Sequence, residues 1–323
     1  MAPIIQYFPY DIDRGGNTSL TADDYSYSGT SELVQEDGGW KLRFLTSGVF
    51  KPKKNLVVDW FAVGGGASGG NCCGGAYPSC GGGGGYTSTV SNYEILAGSS
   101  WTINVGAGGA SREGNNASTN TDTDQYHTFN CGYSSYVVPT GQLPSNDTII
   151  ISAAGGGTKG FGGNSSATYN SKTLYFYYGI SGGSGGGGYC ADGGSDGSDG
   201  GTYTSSNRGN VNHGGVGQGT TTREFGESTG TLYGGGGGGS GPGTNSTVQT
   251  SLAKAAGEGG AGGGGHGGNH ASQSNDYAYL ATDGEANTGG GGGAGASHRS
   301  ITFQPTPSGA GGCGIVIVRN HRS

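Results

Sequence analysis

Runs of glycine punctuate this chain and decide what it can become. Tracts of four or more occur at Gly81–Gly85, Gly185–Gly188, Gly234–Gly239, Gly262–Gly265 and Gly289–Gly293. Two shorter ones, Gly64–Gly66 and Gly155–Gly157, follow directly on apolar runs. Ordering glycine costs more backbone entropy than ordering any other residue, by about 0.5–1 kcal/mol relative to alanine. A hydrogen side chain returns nothing, so an ordered tract has to be held by its main-chain groups. An extended threefold helix, rising about 3.1 Å per residue, points its N–H and C=O groups sideways. Without side chains, such helices approach closely enough to hydrogen-bond to one another. The tracts therefore predict a bundle of polyglycine-II helices, with Gly83, Gly187, Gly236, Gly264 and Gly291 as packing positions. Flexible surface loops are the competing reading.

Composition alone favours the loops. Glycine fills 78 of 323 positions and proline nine more, a share typical of low-complexity chains. The segments between the tracts argue the other way. Trp40, Leu42 and Phe44 alternate with Lys41 and Arg43, the pattern of a half-buried strand. Leu56 to Val63 is apolar except for Asp59, as in a strand covered on both faces. Trp101 to Val105, Thr148 to Ala154, Leu174 to Tyr178 and Ile315 to Val318 add further β-branched or aromatic runs. Nineteen tyrosines are too many for a solvated linker. The expected fold is all-β: a jelly-roll-like β-sandwich with the polyglycine-II bundle inserted between strands, and very little α-helix. Thr247 to Ala256 is the one helix candidate, with Gly257 placed to end it.

A net charge of −7 argues against nucleic acid or an anionic membrane as the main partner. No run of 18 apolar residues is present, so no helical span is expected. The first residues lack the basic and apolar segments of a secretory signal, so the protein is expected to be made in a cytoplasm and kept or assembled there. Residues 1–38 carry Tyr7, Phe8, Tyr10, Tyr25 and Tyr27, aromatics that need covering by a partner or by the main domain. They read as a docking segment, and residues 39–323 as the glycine-rich domain.

Several stretches resemble a glycine-rich domain family that is widespread in phages and prophages of gut Firmicutes. They are Tyr25 to Gly29 with Gly38 to Gly48, then Val57 to Gly66, Val105 to Gly109, Gly217 to Glu227, and Gly314 to Arg319. The segment Gln218 to Glu227 is the most specific, because composition cannot produce its non-glycine residues. The resemblance implies tail-fibre, baseplate and other appendage proteins. It also implies a core similar to phage adhesin tips and to the glycine-rich domain of the anaplastic lymphoma kinase receptor. On that footing the expected function is non-enzymatic: a virion appendage that contacts a host-surface glycan or protein and docks to other virion proteins through residues 1–38. A homo-trimer is the usual form of such fibres, and the virion is the expected location. A purely structural head or tail component without a receptor, or a bacterial surface adhesin, are the alternatives. The family brings no catalytic residues and no cofactor.

Chemical motifs are few. At this glycine content G-x-G-x-x-G arises by chance about four or five times and carries no weight. Thr158-Lys159-Gly160 lacks the order of a phosphate loop. Asp192, Asp196 and Asp199 form a weak calcium candidate, and Asn120, Asp122 and Asp124 a weaker one; solvated turns are the favoured reading of both. His266 and His270 are four apart, but Gly267 and Gly268 between them remove the helix that a zinc pair would need. Cys72, Cys73 and Cys80 lack zinc spacing and read as a disulfide or as free buried thiols. Arg223 and Glu224 read as a structural charge pair, with Phe225 packed inward. Tyr175, Tyr177, Tyr178, Tyr189 and Tyr203 are the candidate receptor contacts, since tyrosine offers rigid amphipathic area at low entropy cost. Packing of the core or capping of the glycine lattice is the other role open to them.

Overall fold

The structure is a computed structural model. It describes residues 19–70, 79–113, 129–157, 179–203, 213–241, 256–269, 280–296 and 306–322, and the backbone of 166–169, 172–175, 204 and 211–212. Fourteen strands are described: β1 (Tyr25–Tyr27), β2 (Ser31–Glu36), β3 (Gly39–Phe44), β4 (Gly48–Pro52), β5 (Leu56–Val63), β6 (Thr87–Ile95), β7 (Trp101–Asn104), β8 (Ser135–Pro139), β9 (Ile151–Ala153), β10 (Ser166–Tyr169), β11 (Lys172–Tyr175), β12 (Tyr203–Thr204), β13 (Val211–Asn212) and β14 (Ile315–Asn320). Among the described residues helical structure is limited to single 3-10 turns at Ala22–Asp24 and Glu224–Gly226. The helix candidate lies outside the described residues except for Ala256.

Two five-stranded antiparallel sheets face each other, in the orders β1-β4-β7-β8-β9 and β2-β3-β14-β5-β6. Alternation does the sorting. Trp40, Leu42 and Phe44 of β3 point inward with Val58, Trp60 and Ala62 of β5 and Val316 and Val318 of β14. Phe50, Ile103, Val137 and Ile151 meet them from the other sheet. Phe44 lies at 5.4 Å from Phe50 and 6.3 Å from Trp60 between ring centroids. The architecture is the expected all-β sandwich: the hairpins β2–β3, β5–β6 and β7–β8–β9 stay within a sheet, while the β1–β2, β3–β4, β4–β5 and β6–β7 connections cross between sheets, as in a jelly-roll-like fold.

The boundary expected at residue 38 moves. β1 pairs with β4, and β2 pairs with β3 along its whole length, Ser31 with Phe44 through Glu36 with Gly39. Leu20 is fully buried in the core. Tyr25 and Tyr27 pack on Phe50 and Phe44, so the main domain covers them. The sandwich thus takes in the described residues from Leu20 to Glu36 as well, and residues 1–18 lie outside the described part.

β14 sits in mid-sheet between β3 and β5, with Ile315 opposite Val63. That register places the start of the glycine region, Gly64, beside its end, Gly314. The described glycine segments that adjoin sandwich strands leave it from one end. Those at 64–70, 105–110 and 154–157 continue β5, β7 and β9, and those at 79–86, 129–134 and 306–314 lead into β6, β8 and β14. At the opposite end the chain enters, with Ser19 and Leu20 carbonyls accepting from Lys54 Nζ and Gln35 Nε2.

Candidate functional site

The glycine segments form a hexagonal lattice, and its period of three is visible bond by bond. In the segment 64–70, residues 64, 67 and 70 donate their N–H groups to the carbonyls of Tyr86, Gly83 and Cys80. Residues 65 and 68 donate to Tyr133 and Asn130, and 66 and 69 to Gly312 and Gly309. Carbonyls 65, 66 and 67 accept from Gly156, Gly109 and Gly292. Six neighbours thus surround this segment, donor and acceptor rows alternating about 60° apart, as a threefold helix in a six-neighbour packing requires. The six also bond to each other in a closed ring, through Tyr133 to Ala107, Gly311 to Gly109, Gly309 to Gly293, Gly82 to Gly292, Tyr86 to Ala154 and Gly132 to Gly156. Segment 234–240 is likewise enclosed, and every N–H and C=O group from 234 to 240 has a main-chain partner.

Such spacing excludes side chains. A Cβ built on Gly83, Gly187, Gly236, Gly264 or Gly291 falls 2.0–2.2 Å from a carbonyl oxygen of the neighbouring segment. None of these five has a left-handed φ, so close approach and not backbone conformation demands glycine there. The sandwich and the lattice are consequently held by different forces. In the first, each large buried side chain contributes about 1.5–3 kcal/mol by leaving water. In the second, each main-chain bond contributes about 0.5–1.5 kcal/mol net.

The stretch from Gly217 to Tyr233 clamps the two halves together. Gln218 accepts from the N–H of Thr87, the first residue of β6, at 3.0 Å, and donates to the Thr87 hydroxyl at 2.9 Å. Its amide also donates to the carbonyls of Thr220 and Thr221, both at 3.1 Å. Phe225 and Tyr233 then cover Phe61, Val63, Ile315 and Ile317 on the outer face of the second sheet. Arg319 lies over the Phe225 ring at 3.9 Å, bound to Asp59 at 3.1 Å and Glu227 at 2.6 Å. Burial pushes the Asp59 carboxyl up, but His321 at 2.6 Å, the Asn92 N–H and Arg319 outweigh it and hold it below its ordinary value. Burial pushes the Tyr233 hydroxyl up to about 12, with Glu224 adding to the effect.

Arg223 and Glu224 are not a pair. Arg223 binds Asp196 at 3.1 Å, and Glu224 binds Lys41 at 2.6 Å, with Glu36 on the other side of that lysine at 2.8 Å. Arg223 is extended, and successive side chains on extended backbone point to opposite sides.

The calcium candidate also resolves differently. Asp192 accepts from the N–H of Glu258 at 2.8 Å and Asp199 from that of Gly217 at 2.8 Å. Asp196 accepts from Thr221, Thr222 and Arg223, and the Thr221 hydroxyl is the main cause of its lowered pKa. The three carboxylates do not converge, and among the described residues no group of three His, Cys, Asp or Glu side chains is placed to hold a metal. They cap the rim of the lattice instead. Ser195 caps Ala261 three residues beyond Glu258, as Ser195 itself lies three beyond Asp192. Nothing in a single sequence marks these caps except that shared spacing of three. Asn120, Asp122 and Asp124 lie outside the described residues, as does His270; His266 bonds to the exposed Glu258 at 2.7 Å.

Cys80 is a buried free thiol, pushed by burial up to about 12, while Cys72 and Cys73 lie outside the described residues. Tyr177 and Tyr178 lie outside them too, and Tyr175 is described only as the last residue of β11. Tyr189 and Tyr203 come together at the far end of the lattice, next to the β12–β13 hairpin, edge-to-face at 5.9 Å. Tyr203 is 40% exposed.

The description "glycine-rich domain" belongs to a family that matches residues 46–321, and the chain is a member of it. No curated protein matches the chain significantly.

Proposed function

We propose that this member of the glycine-rich domain family is a non-enzymatic virion appendage protein of a bacteriophage, whose lattice tip contacts the host surface. The observation that carries the reading is the polarity of the molecule. The described chain enters the sandwich at one end, and a rigid lattice grows from the other and ends in paired tyrosines. Binding residues on the ends of a rigid scaffold are a common arrangement. On this reading other virion proteins hold the entry end, and a cell-surface glycan or protein meets Tyr189 and Tyr203. Stacking on the exposed Tyr203 ring suits a sugar or an aromatic side chain.

The mutual packing of Tyr189 and Tyr203 favours a second reading, in which the pair caps the lattice of a structural head or tail component. Fluorescently labelled protein applied to host cells separates the two. Host attachment predicts labelling that Tyr203→Ala weakens without lowering the melting temperature. No labelling at micromolar protein would refute attachment and leave the structural role.

A further inference from the structure

One flank of the lattice presents an exposed tyrosine among polar groups that the fold does not use. The segments 104–111 and 129–134 lie side by side there, running in opposite directions. Asn104 Nδ2 donates to the Ser134 carbonyl at 2.8 Å, the Tyr133 N–H to the Ala107 carbonyl at 2.9 Å, and Asn130 Nδ2 to the Ala110 carbonyl at 2.7 Å. Tyr133 therefore stands between two asparagines whose amide nitrogens are tied down, which fixes the direction of their amide oxygens. It is 67% exposed, against 40% for Tyr203 at the tip. Among the described residues the Tyr133 hydroxyl, Asn104 Oδ1 and Asn130 Oδ1 have no hydrogen-bond partner. Nor have the N–H groups of Ala107 and Ala110 or the carbonyl of Gly108 beside them.

These groups are closed to a further lattice segment. A Cβ on Gly106, Gly108 or Gly109 of the same stretch would fall 1.9–2.1 Å from a carbonyl oxygen of a neighbouring segment. Ala107 and Ala110 are exposed and carry their methyls outward, so a glycine helix laid against them would meet the same overlap. Polar main-chain groups that another backbone cannot approach remain open to a ligand whose hydroxyls reach past the methyls. The face is also uncharged: no Asp, Glu, Lys, Arg or His occurs between residues 104 and 111 or between 129 and 136. A pyranose has the complementary make-up. Its C–H face packs on an aromatic ring, and each hydroxyl on its rim is donor and acceptor at once.

We infer that the flank around Tyr133 is a binding site for a neutral, extended glycan chain. Tyr133 supplies the stacking surface, Asn104 and Asn130 the oriented acceptors, and Ala107 and Ala110 the main-chain donors. Those two donors repeat at one turn of the threefold helix, about 9 Å apart, along a face without walls. Small single ligands favour enclosed pockets, whereas an open strip of this kind suits a chain of sugars lying along it. The glycan's place on a host cell rests on the attachment reading proposed above, to which the flank adds a lateral contact beside the one at the tip.

The test is the binding of the full chain to a panel of neutral oligosaccharides built from hexoses, deoxyhexoses and N-acetylhexosamines, followed by saturation-transfer NMR and by amide hydrogen exchange. At least one member is expected to bind and to slow exchange at the Ala107 and Ala110 amides. Tyr133→Ala is expected to weaken that binding about 10-fold or more, the scale of losing one hot-spot contact. Tyr133→Phe, which keeps the ring, should retain most of the affinity, and Tyr203→Ala should leave it unchanged. A panel without a binder overturns the proposal, and so does a binder that the folded Tyr133→Ala protein holds as tightly as wild type. Cell labelling fails separately. Labelled cells without panel binding leave attachment standing and remove the lateral site, whereas panel binding at Tyr133 without labelled cells keeps the site and refutes attachment.

Discussion

Replacing Gly236 with alanine tests the lattice at its most enclosed point. The new Cβ would sit 2.0 Å from the carbonyl oxygen of Gly185, whereas ordinary van der Waals contact begins near 3.4 Å. Relieving the overlap means displacing the segment 184–188 or 234–240 by about an ångström, since carbonyl and Cβ both belong to stiff backbone. Four main-chain bonds lie at the point of collision: Gly236 to Gly194, Gly260 to Gly236, Gly185 to Ser198 and Gly194 to Gly185. Losing or stretching half of them costs about 1–3 kcal/mol, and the overpacking itself costs about 1–3 kcal/mol more. The substitution should therefore destabilise the protein by about 2–6 kcal/mol. Because φ at Gly236 is not left-handed, an unconstrained loop would respond with the opposite sign, gaining about 0.4–1 kcal/mol from a stiffer unfolded chain. Guanidinium denaturation followed by the fluorescence of the buried Trp60 reads the difference. Ala261→Val, on the exposed rim, is the matched control and should stay within about 0.5 kcal/mol of wild type. A Gly236→Ala protein as stable as wild type, or more so, would refute the lattice argument.

Three further outcomes follow from the same contacts. Gln218→Ala removes the bridge from the lattice to Thr87 and should cost about 2–3 kcal/mol, read as a shift in denaturation midpoint; Gln218→Glu, which keeps the acceptor and loses the donors, should recover only part. Asp59 has a depressed pKa, so its contribution is complete above the ordinary carboxylate range and is lost as pH falls through its lowered folded value. The denaturation midpoint should accordingly drop on acidification below about pH 4, and Asp59→Asn should flatten that limb while lowering stability at neutral pH; an unchanged acid limb in the variant would contradict the assignment. Asp192→Ala should speed hydrogen exchange at the Glu258 amide and cost about 1 kcal/mol whether or not calcium is present; a cost that appears only in calcium would restore the metal reading.

The strands were legible because their alternation is a side-chain signal. Leu56 to Val63 is β5 to the residue, Trp40 to Phe44 falls in β3, and Ile315 to Val318 falls in β14. β1 and β2 were not, since Tyr25–Tyr27 is three residues long and Ser31–Glu36 carries charges at both ends; only pairing with β4 and β3 makes them strands. The presence of a lattice follows from the entropy of the tracts, but its wiring does not. Gly82 and Gly291 are the same letter, and nothing in either says that it neighbours the other. The threefold register becomes readable only at the rim, where outward positions tolerate a side chain: Ala107 and Ala110, Glu258 and Ala261, and Leu280, Asp283 and Ala286 each recur at steps of three and are exposed. Asp192 stood as a weak calcium candidate beside a turn reading for a related reason, because a carboxylate that caps an amide and one that binds calcium look alike until its donor, here the Glu258 N–H, is located. Arg223 and Glu224 were paired by adjacency, which extended backbone forbids.

The common axis of strands and lattice segments has a mechanical consequence. Glycine segments run on from β5, β6, β7, β8, β9 and β14, and their hydrogen bonds lie across that shared direction. A pull between the entry end and the tip therefore drags the segments past one another and strains many bonds together, in shear, instead of opening them one after another as a zipper. Survival under such traction is governed by the rate of forced unfolding and not by the equilibrium stability. A molecule tugged along its length would thus hold far longer than its sparse apolar tip suggests, while a sideways pull on a rim segment would peel it away bond by bond.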